Sequence, residues 1–222
     1  MDADGILEGA DGLTRCWWCG DDPLYVDYHD REWGRPLRDD RALFELLCLE
    51  GFQAGLSWIT ILRKRVSFRE AFDGFDVAKV AGYGDADVLR LLANPGIVRH
   101  RGKITATIAN ARAVEAMHAA ATSLKQIVWS HAPLPRDEPA AARVKIPDQT
   151  AESTVLARTL RKWGMRFVGP TTVYAFMQSA GLVDDHLAGC HRSGVGTAER
   201  RRIQRQDAPP LPGPMKPPKP AG

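Results

Sequence analysis

Apolar side chains recur with the period of an α-helix along most of the chain. Asp39 and Asp40 suit a helix N-cap, and the apolar positions that follow keep helical spacing up to Gly51. Ser57 suits the cap of a second helix that starts at Trp58. Glu50 stands at the end of the first of these two helices, beside otherwise apolar positions.

Similar start and stop signals continue toward the carboxyl end. They predict helices starting near Ser67, Asp76, Asp85, Ile97, Ser123, Ser153 and Gly169. The helix from Ile97 is the longest and runs to about Ala120, and a long loop covers 133–147. Because strand-like alternation is almost absent, the sequence predicts an all-α fold.

The length of 222 residues suits one sizeable core and is short for two. We expect one domain over 15–196, preceded by a flexible extension over 1–14. The segment 197–222 holds seven of the fifteen prolines and six basic residues against two acidic ones. It is predicted to be a Pro-rich, basic, disordered tail, because such a composition buries little apolar surface.

Charge and targeting signals narrow the class of protein only a little. The formal net charge of +3 resides in the tail, so the body offers no global attraction for nucleic acid. The acidic, Gly-rich start does not resemble a secretion signal, and no apolar run approaches the roughly 18 residues that span a bilayer. We expect a cytoplasmic protein without a membrane partner.

Two cysteines and two histidines could form a metal site between the two ends of the domain. Cys16 and His29 lie near the amino end, and His186 and Cys190 are four residues apart near the other end. Two thiolates and two imidazoles suit tetrahedral Zn²⁺, and four protein ligands leave no position for a reacting water. One structural zinc per chain is therefore a hypothesis, beside the alternatives of unrelated buried residues and of Cys19 as a ligand in place of His29.

A turn between two predicted helices, near 94–98, could contact a phosphate backbone. Gly96 follows Asn94 and Pro95, and Arg99, His100, Arg101 and Lys103 come just after it. Such a turn can direct backbone N–H groups and the next helix N-terminus at a phosphate oxygen. The pattern fits a degenerate helix-hairpin-helix, and equally an ordinary turn with a solvated basic face.

Aromatic residues crowd around one carboxylate. Trp18, Tyr25, Tyr28 and Trp33 lie close together in sequence, and Trp58 follows the turn after Glu50. Planar rings with one buried carboxylate suit a flat, cationic ligand, although tryptophans as core filler explain the spacing as well.

Longer motifs decide between these interpretations. The strings DPLYVDYHDREWG at 22–34, LEGFQAGLSWIT at 49–60, IVRHRGKI at 97–104, FVG at 167–169 and DHLAGC at 185–190 resemble 3-methyladenine DNA glycosylase I. The resemblance runs from about Arg15 to Cys190. It implies a helix-hairpin-helix DNA glycosylase with a structural zinc that joins the amino- and carboxyl-terminal segments of the domain.

The resemblance also assigns roles to the candidate residues. It implies that the protein flips 3-methyladenine out of double-stranded alkylated DNA and hydrolyses its N-glycosidic bond without lyase activity, releasing free 3-methyladenine. By the same match Glu50 is the catalytic, base-recognising carboxylate, and the expected zinc ligands are Cys16, His29, His186 and Cys190. Base-binding residues are Tyr28, Trp58, Trp33, Tyr25 and Trp18, and DNA-binding residues are Leu56, Gly96, Arg99, Arg101 and Lys103.

Several points stay open in the sequence. Leu56 could be a wedge in the DNA stack or a core leucine, and Phe52 replaces a family glutamine at a turn expected to face DNA. Asp185 is expected to orient the imidazole of His186. A monomer is expected, and the alternative function is a catalytically silent DNA-binding or damage-sensing protein.

Overall fold

The computed structural model describes residues 5–142 and 145–207, and this part of the chain is mostly helical. Two short strands, β1 (Ile6–Glu8) and β2 (Thr14–Cys16), come first. Ten α-helices follow: α1 (Pro23–Arg31), α2 (Asp40–Gln53), α3 (Trp58–Ala71), α4 (Val77–Ala81), α5 (Asp85–Ala93), α6 (Arg101–Ala119), α7 (Leu124–Ser130), α8 (Ala151–Lys162), α9 (Pro170–Ser179) and α10 (Val195–Asp207). No helix in these ranges is both long and apolar enough to cross a membrane.

Helix α2 is the centre of the fold. It packs against α3, α6, α7 and α9, and its second half is almost wholly buried. Phe52 at its end packs on Phe68 with ring centroids 4.6 Å apart, within a larger group of phenylalanines. The Phe52 side chain is therefore part of the core and not of the exposed turn that follows α2.

Most predicted helix starts are confirmed, with three differences. Ser67 lies inside α3, because the apolar face continues through Phe68. Helix α6 begins at Arg101 and not at Ile97, because His100 is its N-cap and accepts a hydrogen bond from the Lys103 amide. Ser153 is the third residue of α8 in a capping box, and Thr150 is the cap.

The amino-terminal segment is not a flexible extension where the structure describes it. β1 and β2 form an antiparallel hairpin, with Ile6 opposite Cys16. The guanidinium of Arg15 is buried and bridges Asp11 at 2.7 Å and Asp30 at 2.8 Å. These ion pairs hold a hairpin that composition alone did not predict, while residues 1–4 lie outside the described ranges.

The first part of the predicted tail is also ordered. Helix α10 extends to Asp207, so the expectation of disorder from 197 is wrong up to that residue. Arg35 pairs with Glu199 at 2.8 Å and Arg38 with Asp207 at 2.5 Å, which fixes α10 to the segment after α1. The Pro-rich stretch 208–222 lies outside the described ranges.

Candidate functional site

Cys16, His29, His186 and Cys190 form one buried cluster. Their four possible ligand atoms all lie within 4.8 Å of one another. Cys190 Sγ lies 3.4 Å from His29 Nε2 and 3.6 Å from His186 Nδ1, and Cys16 Sγ lies 3.8 Å from His186 Nδ1. Residues from both ends of the domain thus provide a closed set of two sulfurs and two imidazole nitrogens.

The surroundings of the cluster prepare its histidines to bind a metal. His29 Nδ1 lies 2.7 Å from Asp30 Oδ1, and His186 Nε2 lies 3.2 Å from the Trp33 carbonyl oxygen. With the outer nitrogens donating to these oxygens, the inner nitrogens present lone pairs to the centre. The donor set and its outer hydrogen bonds therefore fit a tetrahedral divalent ion.

Two sequence hypotheses about this cluster need correction. Cys19 is not among the four, because its thiol donates to the Cys16 carbonyl at 3.2 Å. Asp185 does not orient His186: its carboxylate accepts from the Tyr174 hydroxyl at 2.6 Å and from Gln178 at 2.8 Å, and it pairs with Arg136. Asp30 has the orienting role instead, toward His29.

The cluster lies behind two of the rings that line an aromatic pocket of about 390 Å³. The Trp33 ring meets the His186 ring edge to face at 4.7 Å, and the Trp18 ring lies 5.2 Å from that of His29. Trp18 also contacts Tyr25 at 5.0 Å and Trp33 at 4.9 Å. On another side Tyr28 and Trp58 lie 5.5 Å apart. All five aromatic residues predicted to bind a base line this pocket.

Glu50 is the buried carboxylate of the pocket. Its residue is 3% exposed, and burial raises the pKa of the carboxyl to about 8. Oε1 accepts a hydrogen bond from the Ser179 hydroxyl at 2.7 Å, whereas Oε2 is buried and has no partner among the described residues. The free oxygen is suited to a ligand that brings a hydrogen-bond donor or a positive charge.

Two aromatic side chains next to Glu50 also carry unsatisfied polar atoms. The Tyr28 hydroxyl and Trp58 Nε1 are buried without a hydrogen-bond partner in the described part of the chain. Burial, together with the Glu50 charge, raises the pKa of Tyr28 well above its usual range, so the phenol stays protonated and can donate. The pocket thus offers one acceptor and two donors beside its ring faces.

Sequence reasoning missed the contribution of α9 to this pocket. Thr171, Tyr174, Gln178 and Ser179 line it, as do Gln53 and the loop residue Asp148. The first three recur along α9 at intervals of three and four residues, which places them on one helix face. This polar face on an otherwise apolar helix is the sequence signal that could have predicted the contribution of α9 to the pocket.

The candidate DNA-binding residues differ in whether they are exposed and free to contact a ligand. Leu56 is 43% exposed at the turn between α2 and α3, so the core alternative for it is wrong. Arg99 and Arg101 are exposed, and neither guanidinium has a bonding partner within the described ranges. The Gly96 amide donates to Asn94 Oδ1 at 2.8 Å, so it is already engaged within the turn.

Lys103 does not lie on the surface. Its residue is 7% exposed, and Nζ donates to the carbonyl oxygens of Phe52 at 2.8 Å and Ala54 at 2.6 Å. Burial lowers the pKa of this ammonium group. The prediction of a phosphate contact by Lys103 is wrong for this arrangement, because the side chain reaches inward to the end of α2.

The helical fold and the pocket define a class: a helical protein with an aromatic pocket around a buried carboxylate, which suits a planar ligand that brings a hydrogen-bond donor or a positive charge. More particularly, the chain belongs to the methyladenine glycosylase family, whose model matches residues 18–193. This confirms the resemblance seen in the sequence motifs.

Named relatives agree with this family. DNA-3-methyladenine glycosylase 1 of Escherichia coli K12 is 49% identical over 179 residues, which cover 80% of this chain and 96% of that protein. A crystal structure of 3-methyladenine DNA glycosylase I is 52% identical with a TM-score of 0.79, covering 81% and 99% of the two chains. The Staphylococcus aureus glycosylase, solved to explain 3-methyladenine recognition, is 40% identical with a TM-score of 0.74, covering 77% and 91%.

Proposed function

We propose that this protein excises 3-methyladenine from double-stranded alkylated DNA by hydrolysing the N-glycosidic bond. The observation that carries the proposal is the Glu50 carboxylate, which is buried among aromatic rings and has one oxygen without a partner among the residues that the structure describes. The names of the relatives and the activity that they state support the same substrate.

The chemistry of the lesion matches this carboxylate. Methylation at N3 makes adenine in DNA cationic, and its exocyclic amine remains a donor. An ionised Glu50 would balance the charge and accept from the amine, while Tyr28 and Trp58 contact the ring through their π faces. An unmodified adenine brings no positive charge, so Glu50 would either stay protonated or ionise without a partner, and adenine would lose about 1–3 kcal/mol of interaction relative to the cationic base.

The positive charge on the methylated base makes strong acid catalysis unnecessary. A cationic base leaves as a neutral molecule, so the enzyme need not protonate it, and water attacks C1′. Because the charge on the base disappears as the bond breaks, a contact tuned only to the cation would also stabilise the ground state. Pocket shape and positioning therefore carry much of the rate.

We propose a monofunctional reaction without strand cleavage. A lyase step needs an amine that attacks the sugar. None of the described residues lining the pocket is a lysine, and the Lys64 and Lys103 ammonium groups are bonded to backbone carbonyls. Water thus remains the nucleophile.

Access to the base requires that it leave the DNA stack. The exposed Leu56 side chain would fill the space behind the extruded nucleotide, which lowers the cost of unstacking. The guanidinium groups of Arg99 and Arg101, which have no partner within 5–142 and 145–207, would bind phosphates beside the turn at Gly96, in a helix-hairpin-helix formed by α5 and α6.

A single zinc ion would be structural. Bound by Cys16, His29, His186 and Cys190, it would supply no open coordination position and would join the amino-terminal hairpin and α1 to the segment before α10. We propose further that the protein acts as a cytoplasmic monomer.

The decisive experiment is release of labelled 3-methyladenine from methylated duplex DNA. Wild type should release the base, Glu50→Gln should lower kcat/KM by roughly a hundredfold, and Trp58→Ala should also impair release. Glu115→Gln, at an exposed glutamate of α6, is the matched control and should leave release unchanged. No release by wild type over a wide range of salt would favour a silent DNA-binding protein, and normal release by both pocket variants would refute the pocket roles.

A further inference from the structure

The buried side chain of Lys103 occupies an electrostatically unfavourable position. Lys103 is the third residue of α6, where the helix dipole repels a cation, and burial lowers the pKa of its ammonium group. No carboxylate pairs with it in the described part of the chain; its partners are the carbonyl oxygens of Phe52 and Ala54. Because both the helix dipole and burial disfavour the charged lysine here, its hydrogen-bond partners must account for its position.

Its partners are the last carbonyl groups of α2. These oxygens have no acceptor role within the helix, and the negative end of the α2 dipole favours a cation there. Ala54 is the C-cap of α2, and Gly55 follows with φ +81°, a left-handed conformation that glycine adopts without strain. Lys103 therefore fixes the point at which the chain leaves α2.

The segment that Lys103 fixes presents Leu56. The Leu56 amide donates to the Gln53 carbonyl at 2.6 Å, which closes a tight turn with the leucine side chain outside. This turn stands between Glu50 in α2 and Trp58 at the start of α3. Its position thus determines where Leu56 stands relative to the pocket.

Helices α2 and α6 also meet through close packing around Phe167. A Cβ atom at Gly51 would lie 3.3 Å from Phe167 Cβ, and one at Gly102 would lie 3.9 Å from the Phe167 ring. The absence of side chains at Gly51 and Gly102 lets Phe167 lie beside both helices where they meet. Lys103 completes this junction with hydrogen bonds from its charged ammonium group to the Phe52 and Ala54 carbonyl oxygens, and such charge-assisted hydrogen bonds are stronger than those between neutral groups.

We propose that Lys103 is a positioning residue for base extrusion. It fixes the position of the Leu56 turn relative to the start of α6. Arg99 and Arg101, which would bind phosphates, and Leu56, which would enter the base stack, then move as one rigid unit. This inference rests on the proposed glycosylase function. It makes no claim that Lys103 touches DNA.

The test compares Lys103→Met, which keeps length but removes the donors, with Lys103→Arg, which retains them, and with Lys79→Met at an exposed lysine of α4 as control. We expect Lys103→Met to lower kcat/KM for excision from duplex DNA about ten- to a hundredfold, with Lys103→Arg partly restoring it. The affinity of Lys103→Met for free 3-methyladenine, measured by tryptophan fluorescence, should differ from that of wild type by less than about twofold, because the pocket itself is intact.

A double-mutant cycle with Leu56→Ala identifies the route of the effect. If Lys103 acts through Leu56, the double variant should lose no more activity than the more impaired single variant. Multiplicative losses, or wild-type excision by Lys103→Met, would overturn the proposal. Absence of release by wild type would instead refute the glycosylase function, so the two failures are distinguishable.

Hydrogen exchange provides a measurement that does not depend on activity. Exchange of the Leu56 amide should accelerate at least tenfold in Lys103→Met while amides inside α6 keep their protection. Should Lys103→Met fail to fold, Lys103→Gln replaces it, because the glutamine amide is uncharged and too short to reach both carbonyl oxygens. An unchanged Leu56 exchange rate in a folded variant would also overturn the positioning role.

Discussion

His186 donates through Nε2 to the backbone carbonyl of Trp33, and the two rings meet edge to face at 4.7 Å. One imidazole thus faces the candidate metal centre with Nδ1 and supports a wall of the base pocket with its other side. Binding of a metal at this centre would therefore be coupled to the shape of the pocket through His186.

Removal of the metal should loosen the pocket. We expect His186→Ala to contain less than half an equivalent of zinc by elemental analysis, to melt at a lower temperature and to bind free 3-methyladenine more weakly, because the Trp33 wall loses its support. Cys19→Ser is the matched control and should retain one equivalent, since Cys19 lies outside the cluster. Zinc loss in Cys19→Ser with retention in His29→Ala would contradict the ligand set.

Asp30 should tune the affinity of the metal through His29. The Asp30 carboxylate accepts from His29 Nδ1 at 2.7 Å and is itself held by Arg15. Asp30→Ala should weaken zinc binding by about 10–100-fold in a chelator competition, because the ring loses its orientation and basicity. Asp27→Ala, which removes only an exposed partner of Arg31, should bind zinc normally.

Excision should depend on pH through Glu50. Burial raises the pKa of this carboxyl to about 8, and a cationic base pairs with the ionised form. We therefore expect kcat/KM to rise about tenfold per pH unit up to about pH 8 and then level off. A bound cation lowers the pKa of Glu50, so kcat should level off at lower pH. A kcat/KM that stays flat between pH 6 and 8 would contradict this assignment.

Ser179 should set the position of that transition. Its hydroxyl donates to Glu50 Oε1 at 2.7 Å, and this hydrogen bond lowers the pKa of the carboxyl. In Ser179→Ala the pKa of Glu50 should move further upward, so the rise of kcat/KM should shift to higher pH. Ser130→Ala, at an exposed serine of α7, should show the wild-type profile.

Phosphate contacts should appear in the salt dependence of DNA binding. Arg99→Ala and Arg101→Ala should each reduce the slope of log K against log salt by about one. The effect should be the same for all DNA sequences, because phosphates carry no base information. Lys79→Ala is the control, and equal slopes for all three variants would contradict the phosphate role of the two arginines.

Local signals were sufficient for much of the helical fold. Asp39, Ser123 and Gly169 were correctly recognised as helix starts, because capping and the restricted backbone of proline act within a few residues. The amino-terminal hairpin and α10 were not recognised. Their stability comes from distant partners, such as Arg15 with Asp30 and Arg35 with Glu199, which no local pattern contains.

By itself the sequence determined the family, the composition of the metal cluster and the aromatic set around Glu50, since those depend on residue type and motif. Only the tertiary structure decided what each side chain meets. It directed Lys103 inward to the α2 carbonyls, exposed Leu56 and brought Ser179 to Glu50 from a helix more than a hundred residues away. Burial and hydrogen-bond partners arise from packing between distant segments, so they become fixed only when the chain is folded.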